Sequence, residues 1–201
     1  MKIVTIGAGA HAALTHGPAL AAIAQEDPAV ELAAVCDVRR ERAEEFSRQF
    51  GYRRTYADYE EMLDAEAPDG VTLLSSESMT SRIGSAVLRR GIPLLLEKPP
   101  GRNSAEHEQL LRAYQLRRTP HLIAFNRRYM PLVSRARRLW RQLVPPEKHQ
   151  SVRCDFYRHN RHDPGFSTTA SHGIDLAAYL AEASYTDFRI SLQRNGKGEC
   201  T

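Results

Sequence analysis

Five short apolar runs, each separated from the next by a helix-forming stretch, narrow the folds open to this chain more than any other feature. The runs are Lys2–Gly7, Val30–Cys36, Gly70–Leu74, Pro93–Leu96 and His121–Phe125. Helices are expected from Pro18 onward and over Glu41–Phe50, Asp58–Leu63, Thr80–Arg90 and Ser104–Arg117. Pro18 suits a first helical turn, which needs no N–H there. Asp58, and Asn103 or Ser104, are side chains that accept hydrogen bonds from the free N–H groups of a helix start. Gly51 and Gly91 stand where a helix stops in a left-handed residue. Strands alternating with helices build βαβ units and a mostly parallel sheet, and near-continuous apolar strands belong in a sheet covered on both faces. The expected fold class is therefore α/β, a doubly wound parallel sheet.

The texture changes after Pro145-Pro146-Glu147-Lys148, the best linker candidate. Ser151–Arg158 alternates like a strand, with Val152, Cys154 and Phe156 on one face. A polar loop over Asn160–Thr169 follows, then a helix over Ser171–Leu180 and an alternating strand over Asp187–Gln193. Two strands and one helix cannot close a core alone, so this α+β region must pack on the first domain, a partner or a second copy. The chain divides into a first domain over 1–120 and a partial second domain over 121–201. Exposed strand edges in the second predict a homo-oligomer, a dimer being the simplest.

Composition excludes several classes. No apolar run approaches the ~20 residues of a membrane helix. The N-terminus is a strand running into glycine rather than a leader, so a cytoplasmic protein is expected. Cys36, Cys154 and Cys200 are odd in number and widely spaced, which offers no disulfide framework. The net charge of +4 attracts small anions. Arg135, Arg137, Arg138 and Arg141 lie on a helix-like stretch whose Leu132, Val133, Leu139 and Leu143 supply a buried face. That is a solvated amphipathic helix, and without interleaved aromatics no nucleic-acid partner is expected. His159-Asn160-Arg161-His162-Asp163 has ligand-type side chains but no closing pair, so it reads as a surface or substrate loop and no metal site is expected. Ser75-Ser76 lacks the glycine elbow of a hydrolase nucleophile.

Two motifs carry chemistry. Gly7-Ala8-Gly9-Ala10-His11-Ala12 joins the first strand to the first helix. Here Gly7 permits the tight turn, Gly9 lets backbone approach a pyrophosphate, and Ala12 allows close helix–strand packing. Asp37 ends the second strand, where a carboxylate accepts from adenosine ribose hydroxyls. The pattern is that of a Rossmann dinucleotide site. Asp37 disfavours a 2′-phosphate and so favours NAD, while Arg39 and Arg40 beside it keep NADP open. The second motif, Glu97-Lys98-Pro99, puts a lysine at the carboxyl end of the Leu94–Leu96 run, on the edge where open α/β sheets bind ligands. Pro99 holds Lys98 in extended backbone.

Together with Gly91–Pro99, Phe125-Asn126-Arg127-Arg128-Tyr129-Met130-Pro131 and His172-Gly173-Ile174-Asp175, these motifs resemble the glucose–fructose oxidoreductase, inositol dehydrogenase and MocA (Gfo/Idh/MocA) family. The resemblance implies a nicotinamide-dependent oxidoreductase acting on a secondary alcohol or ketone of a sugar, cyclitol or related polyol. Lys98 and His172 are then the catalytic pair: Lys98 polarises the reacting oxygen and His172 exchanges the proton. Asn126 and Asp175 hold neighbouring substrate hydroxyls. The expected cofactor contacts are Gly7, Ala8, Gly9, Ala10, His11, Asp37 and Arg39 around the turn, with Ser75, Glu97 and Lys98 on the neighbouring strand ends.

The chain also departs from that family. The aspartate expected four residues before the histidine is Thr168, which cannot serve as a carboxylate base. Ser75, Ser76, Glu77 and Thr80 replace the usual residues at the nicotinamide edge. Family members continue for over a hundred residues past the histidine helix, so the C-terminal domain is expected to be a shortened one. The alternative to an enzyme is a non-catalytic dinucleotide-binding protein or a subunit that completes another chain's site.

Overall fold

The computed structural model describes residues 1–145, 148, 151–156, 166–187 and 189. Two compact units appear, one over Met1–Phe125 with Gly165–Ser171, the other over Asn126–Pro164 and His172–Thr201.

The first unit holds a six-stranded parallel sheet. In chain order its elements are β1 (Lys2–Ile6), a π-helical turn (Ala12–His16), α1 (Gly17–Glu26), β2 (Glu31–Cys36), α2 (Arg40–Phe50) and β3 (Arg54–Tyr56). Then come α3 (Tyr59–Glu66), β4 (Gly70–Leu73), α4 (Glu77–Arg89), β5 (Leu94–Leu96), α5 (Ser104–Arg117) and β6 (His121–Ile123). The spatial strand order is β3-β2-β1-β4-β5-β6. That is the doubly wound Rossmann order, reversing direction between β1 and β4.

Alternation along β1 sends Val4 and Ile6 into one buried cluster and Ile3 towards another. The first cluster takes Met62 from α3, Val87 and Leu88 from α4 and Leu110 from α5. The second takes Ala43, Phe46 and Phe50 from α2, with Ala12. The sheet is thus covered on both faces, as its apolar strands require. Each fully buried Val, Leu or Phe here contributes about 1.5–3 kcal/mol of transfer free energy.

Caps form where the sequence places them. The Asp58 carboxylate accepts from the N–H groups of Glu60 and Glu61, and Asn103 Oδ1 accepts from Glu106 N. Gly51 closes α2 at φ 82°. One strand is absent from the expected set. Strand β3 is polar and three residues long, and exists by pairing with β2 at the sheet edge. It is held from α3, where the buried Glu66 accepts from Arg54 Nη2 at 2.5 Å and Tyr56 Oη at 2.8 Å. Strand β6 hydrogen-bonds to β5 and belongs to the first unit, which includes Met1–Phe125.

The second unit begins with a 3₁₀ turn (Asn126–Tyr129) and α6 (Pro131–Leu143). Leu132, Leu139 and Leu143 of α6 are exposed, while Val133 of the same expected face is half-buried. Residues 151–156 form no ladder, contrary to the strand expected there. Phe156 instead lies against Gly173, where an added Cβ would stand 3.1 Å from its ring. The last described helix, α7 (Phe166–Ala181), starts five residues before Ser171, within the stretch expected as loop. The strand expected over Asp187–Gln193 falls largely outside the described residues, as does the His159–Asp163 segment. No described helix is long and apolar enough to cross a membrane.

Candidate functional site

Parallel register aligns Ile6 with Leu73 and Leu73 with Leu96, so β1, β4 and β5 end level. The residues that follow, Gly7, Leu74-Ser75 and Glu97-Lys98, leave the sheet on one edge. Gly7 N donates to Cys36 O at 2.8 Å, Leu74 N to Ile6 O at 2.7 Å, and Glu97 N to Leu73 O at 3.0 Å. This carboxyl edge, at the reversal between β1 and β4, is where such sheets bind ligands.

The turn after β1 is shaped by its small residues. Gly7 sits at φ 100°, and a Cβ there would lie 2.6 Å from Leu74 O. Gly9 has open space around it, with nothing within 4 Å of the position a Cβ would take. Ala12 is buried. Gly17 abuts the Phe50 ring, which a Cβ would meet at 2.5 Å. Asp37 holds the turn from the next strand: its Oδ2 accepts from Ala8 N at 2.8 Å and its Oδ1 from Arg39 N at 2.9 Å. Arg39 itself is exposed at the start of α2. The residues fit a dinucleotide: the Gly9 backbone leaves room for a pyrophosphate, and a helical start behind it presents N–H groups to anionic charge.

Lys98 follows β5, half-buried, and joins Pro99 through a cis peptide bond. Its backbone N–H donates to Glu97 Oε2 at 3.0 Å. The other oxygen of Glu97 accepts from His16 Nε2 at 2.7 Å and from His11 Nε2 at 3.2 Å. Burial alone would raise the Glu97 carboxyl, but the hydrogen bonds and charges of the two histidines outweigh it and hold the group below its ordinary range. Glu97 is thereby tied to the glycine-rich turn and gives Lys98 a fixed neighbour. The part of His16 was not foreseen from sequence. Ser75 shares a polar contact with Thr80 at 3.5 Å, and Glu77 opens α4, where its charge complements the helix dipole.

The second unit carries the remaining candidates. His172 is buried in α7. Asp175, one turn on, takes the Arg128 guanidinium in a two-pronged ion pair, with Nε donating to Oδ2 at 2.7 Å and Nη2 to Oδ1. That hydrogen bond raises the Arg128 pKa above its usual range. Both oxygens of Asp175 are therefore engaged, which leaves only spare lone pairs for a substrate hydroxyl. Asn126 lines an open depression with Tyr129, Met130, Val133, Phe156 and Leu176. Thr168, in the stretch of α7 that belongs to the first unit, lies on the helix backbone.

Known proteins share this fold. Residues 1–120 match the oxidoreductase family with the NAD-binding Rossmann fold (Gfo/Idh/MocA). A levoglucosan dehydrogenase of Pseudarthrobacter phenanthrenivorans is 25% identical over 104 residues, 52% of this chain and 27% of that protein. A dehydrogenase from Chromobacterium violaceum superposes with a TM-score of 0.78 at 19% identity, over 97% of this chain and 58% of its own. The WlbA dehydrogenase of the same organism, solved with NADH and UDP-GlcNAcA, gives 0.71 at 19% identity over 90% and 55%. At such identities the superpositions establish the fold. The chain spans about a quarter of the curated relative and little over half of these two solved chains.

Proposed function

Because this chain belongs to the Gfo/Idh/MocA oxidoreductase family, we propose that it binds NAD or NADP at the carboxyl edge of its sheet and carries out hydride transfer there. The substrate class is a sugar, cyclitol or related polyol, reacting at a secondary alcohol or its ketone. The observation that carries this reading is the shared edge: the open Gly9 turn and Lys98 leave strands of matched register. When bound, the nicotinamide supplies hydride chemistry that no side chain offers.

The chain's own residues bind and orient. Gly7 and Gly9 shape the pyrophosphate turn, and Ala8, Ala10 and His11 border it. Asp37 accepts from the ribose while its other bonds hold Ala8 and Arg39 in place. Its negative charge supports NAD over NADP. Ser75 and Glu97 flank the nicotinamide end. The Lys98 ammonium hydrogen-bonds the reacting oxygen and stabilises charge that builds on it, and His172 exchanges the proton. Asn126 hydrogen-bonds a neighbouring hydroxyl, and Asp175 does so while fixed by Arg128. The exposed leucines of α6 support self-association, as a dimer, and free thiols suit the cytoplasm.

The test is a turnover screen of polyols with both dinucleotides, with Lys98→Ala beside the wild type. We expect turnover to fall about 10²–10⁴-fold in the variant with dinucleotide affinity nearly unchanged. Equal turnover in both proteins would refute the assignment of Lys98. Dinucleotide binding without turnover on any polyol would instead favour the non-catalytic alternative.

A further inference from the structure

The π-helical turn Ala12–His16 brings two histidines onto one carboxylate. Residues five apart on an α-helix point roughly 140° away from each other. An i→i+5 ladder stacks them instead, and such π insertions concentrate at functional sites. Gly17 N donates to Ala12 O in that pattern. As a result the His11 and His16 rings lie 5.7 Å apart between centroids, and both Nε2 atoms converge on Glu97 Oε1.

We propose that His11, His16 and Glu97 form a binding site for a divalent transition ion of the zinc class. The one Glu97 oxygen and the two imidazole nitrogens all lie within 4.8 Å of one another. A tetrahedral zinc with bonds of about 2.0–2.2 Å needs its ligand atoms roughly 3.4 Å apart. The observed 2.7 and 3.2 Å separations would open by about 0.7 and 0.2 Å, and the two imidazole nitrogens, no more than 4.8 Å apart, would close by at most about 1.4 Å. Two imidazoles and one carboxylate are the donor set of open zinc sites, in which solvent or another ligand fills the fourth position. Imidazole donors select zinc, copper, cobalt or nickel over magnesium and calcium. Two of the ligands are already in place: the side chains of His16 and Glu97 are 17% and 13% exposed, and Lys98 N fixes the second oxygen of Glu97. His11, 60% exposed, gives an ion its path in from solvent. The ion would exchange two imidazole–carboxylate hydrogen bonds for coordinate bonds and release any proton the imidazoles carry. None of this rests on the proposed redox reaction.

Zinc chloride titrated into the untagged 201-residue chain against a chromophoric chelator tests the site. One equivalent is expected to bind with micromolar or tighter affinity. The variants His11→Ala, His16→Ala and Glu97→Gln are each expected to weaken it at least tenfold. Magnesium should not compete. His11 is the most exposed of the three, so His11→Ala keeps the test decisive should the variants at half-buried His16 or Glu97 fail to fold. Cobalt(II) bound in place of zinc should show visible absorption that the same variants abolish. Absence of zinc binding at 100 µM (about 5.5 kcal/mol of association) overturns the proposal. So does an affinity unchanged in His11→Ala and His16→Ala.

Discussion

Alanine at Gly9 and alanine at Gly7 should fail in opposite ways. The two glycines are two residues apart in one turn, yet their surroundings differ. At Gly7 the backbone is at φ 100°, which costs an L-residue about 1–2 kcal/mol. The new Cβ would also stand 2.6 Å from Leu74 O. That carbonyl cannot easily retreat, because Leu74 N is bonded to Ile6 O in the β1–β4 ladder. Overpacking adds about 1–3 kcal/mol. The sum, roughly 2–5 kcal/mol, corresponds to a Tm lowered by roughly 4–20 °C for a domain of this size. At Gly9 nothing lies within 4 Å and φ is not positive, so alanine should leave Tm within a few degrees. Its methyl group would, however, fill the space the proposed site reserves for a pyrophosphate. An overpacking cost of about 1–3 kcal/mol at that contact weakens binding roughly 5–150-fold. Thermal melts followed by circular dichroism, paired with calorimetric titration of NADH and NADPH, read both effects. If Gly9→Ala bound the dinucleotide as tightly as the wild type, no pyrophosphate would cross the turn at Gly9, and the site would be wrong. A Gly9→Ala melt as depressed as that of Gly7→Ala would refute the packing argument.

Glu66→Gln should destabilise the first unit by about 1–3 kcal/mol, the value of charged hydrogen bonds lost from a buried carboxylate. Burial raises the Glu66 carboxyl, but Arg54 and Tyr56 outweigh that and hold its folded pKa below the ordinary value. The stabilisation is therefore present above pH ~4.3 and is lost as pH falls through the folded pKa, so the gap between urea melts of the two proteins should narrow as the pH is taken below that range. Cys36 should resist iodoacetamide at pH 8 in the native protein while Cys154 reacts. Burial, with the charges of Asp58, Asp37 and Glu61, pushes the Cys36 thiol up to about 12. Mass mapping that finds Cys36 alkylated before unfolding would contradict this. Asp37→Ala should weaken NADH binding by more than NADPH binding, since it removes both the ribose acceptor and the bond that holds Ala8. Calorimetry with the two cofactors checks the ratio.

What the sequence made legible was local and redundant. The first strand, the GxGxxA turn and Asp37 sit within forty residues, and each element's chemistry repeats in its neighbours. The apolar strands announced themselves because burial on both faces leaves little room for polar residues. Strand β3 did not, because Arg54-Thr55-Tyr56 is polar and becomes a strand only through β2 and the distant Glu66. Residues 151–156 misled in the opposite direction. Val152, Cys154 and Phe156 do alternate, but Phe156 is used to fill the space over Gly173 and no ladder forms. The α6 leucines read as a buried face, yet burial depends on what covers a face, and nothing in the residue spacing states that.

The site divides in the same way. The turn and Lys98 were visible because each is defined by a few adjacent residues. The link between them was not. His16 and Glu97 are 81 residues apart, and helical periodicity would set His16 apart from His11. The π-helical turn that joins them leaves no compositional signature. Likewise, spacing alone predicts His172 and Asp175 one helical turn apart, but the engagement of Asp175 by Arg128 depends on a partner 47 residues earlier.

A crystal structure of the chain grown with NADH tests the central claim most directly. The account predicts the pyrophosphate over Gly9, the adenosine ribose on Asp37 and the nicotinamide ring beside Lys98. NADH bound elsewhere, or bound at the turn with its nicotinamide pointing away from Lys98, would contradict it.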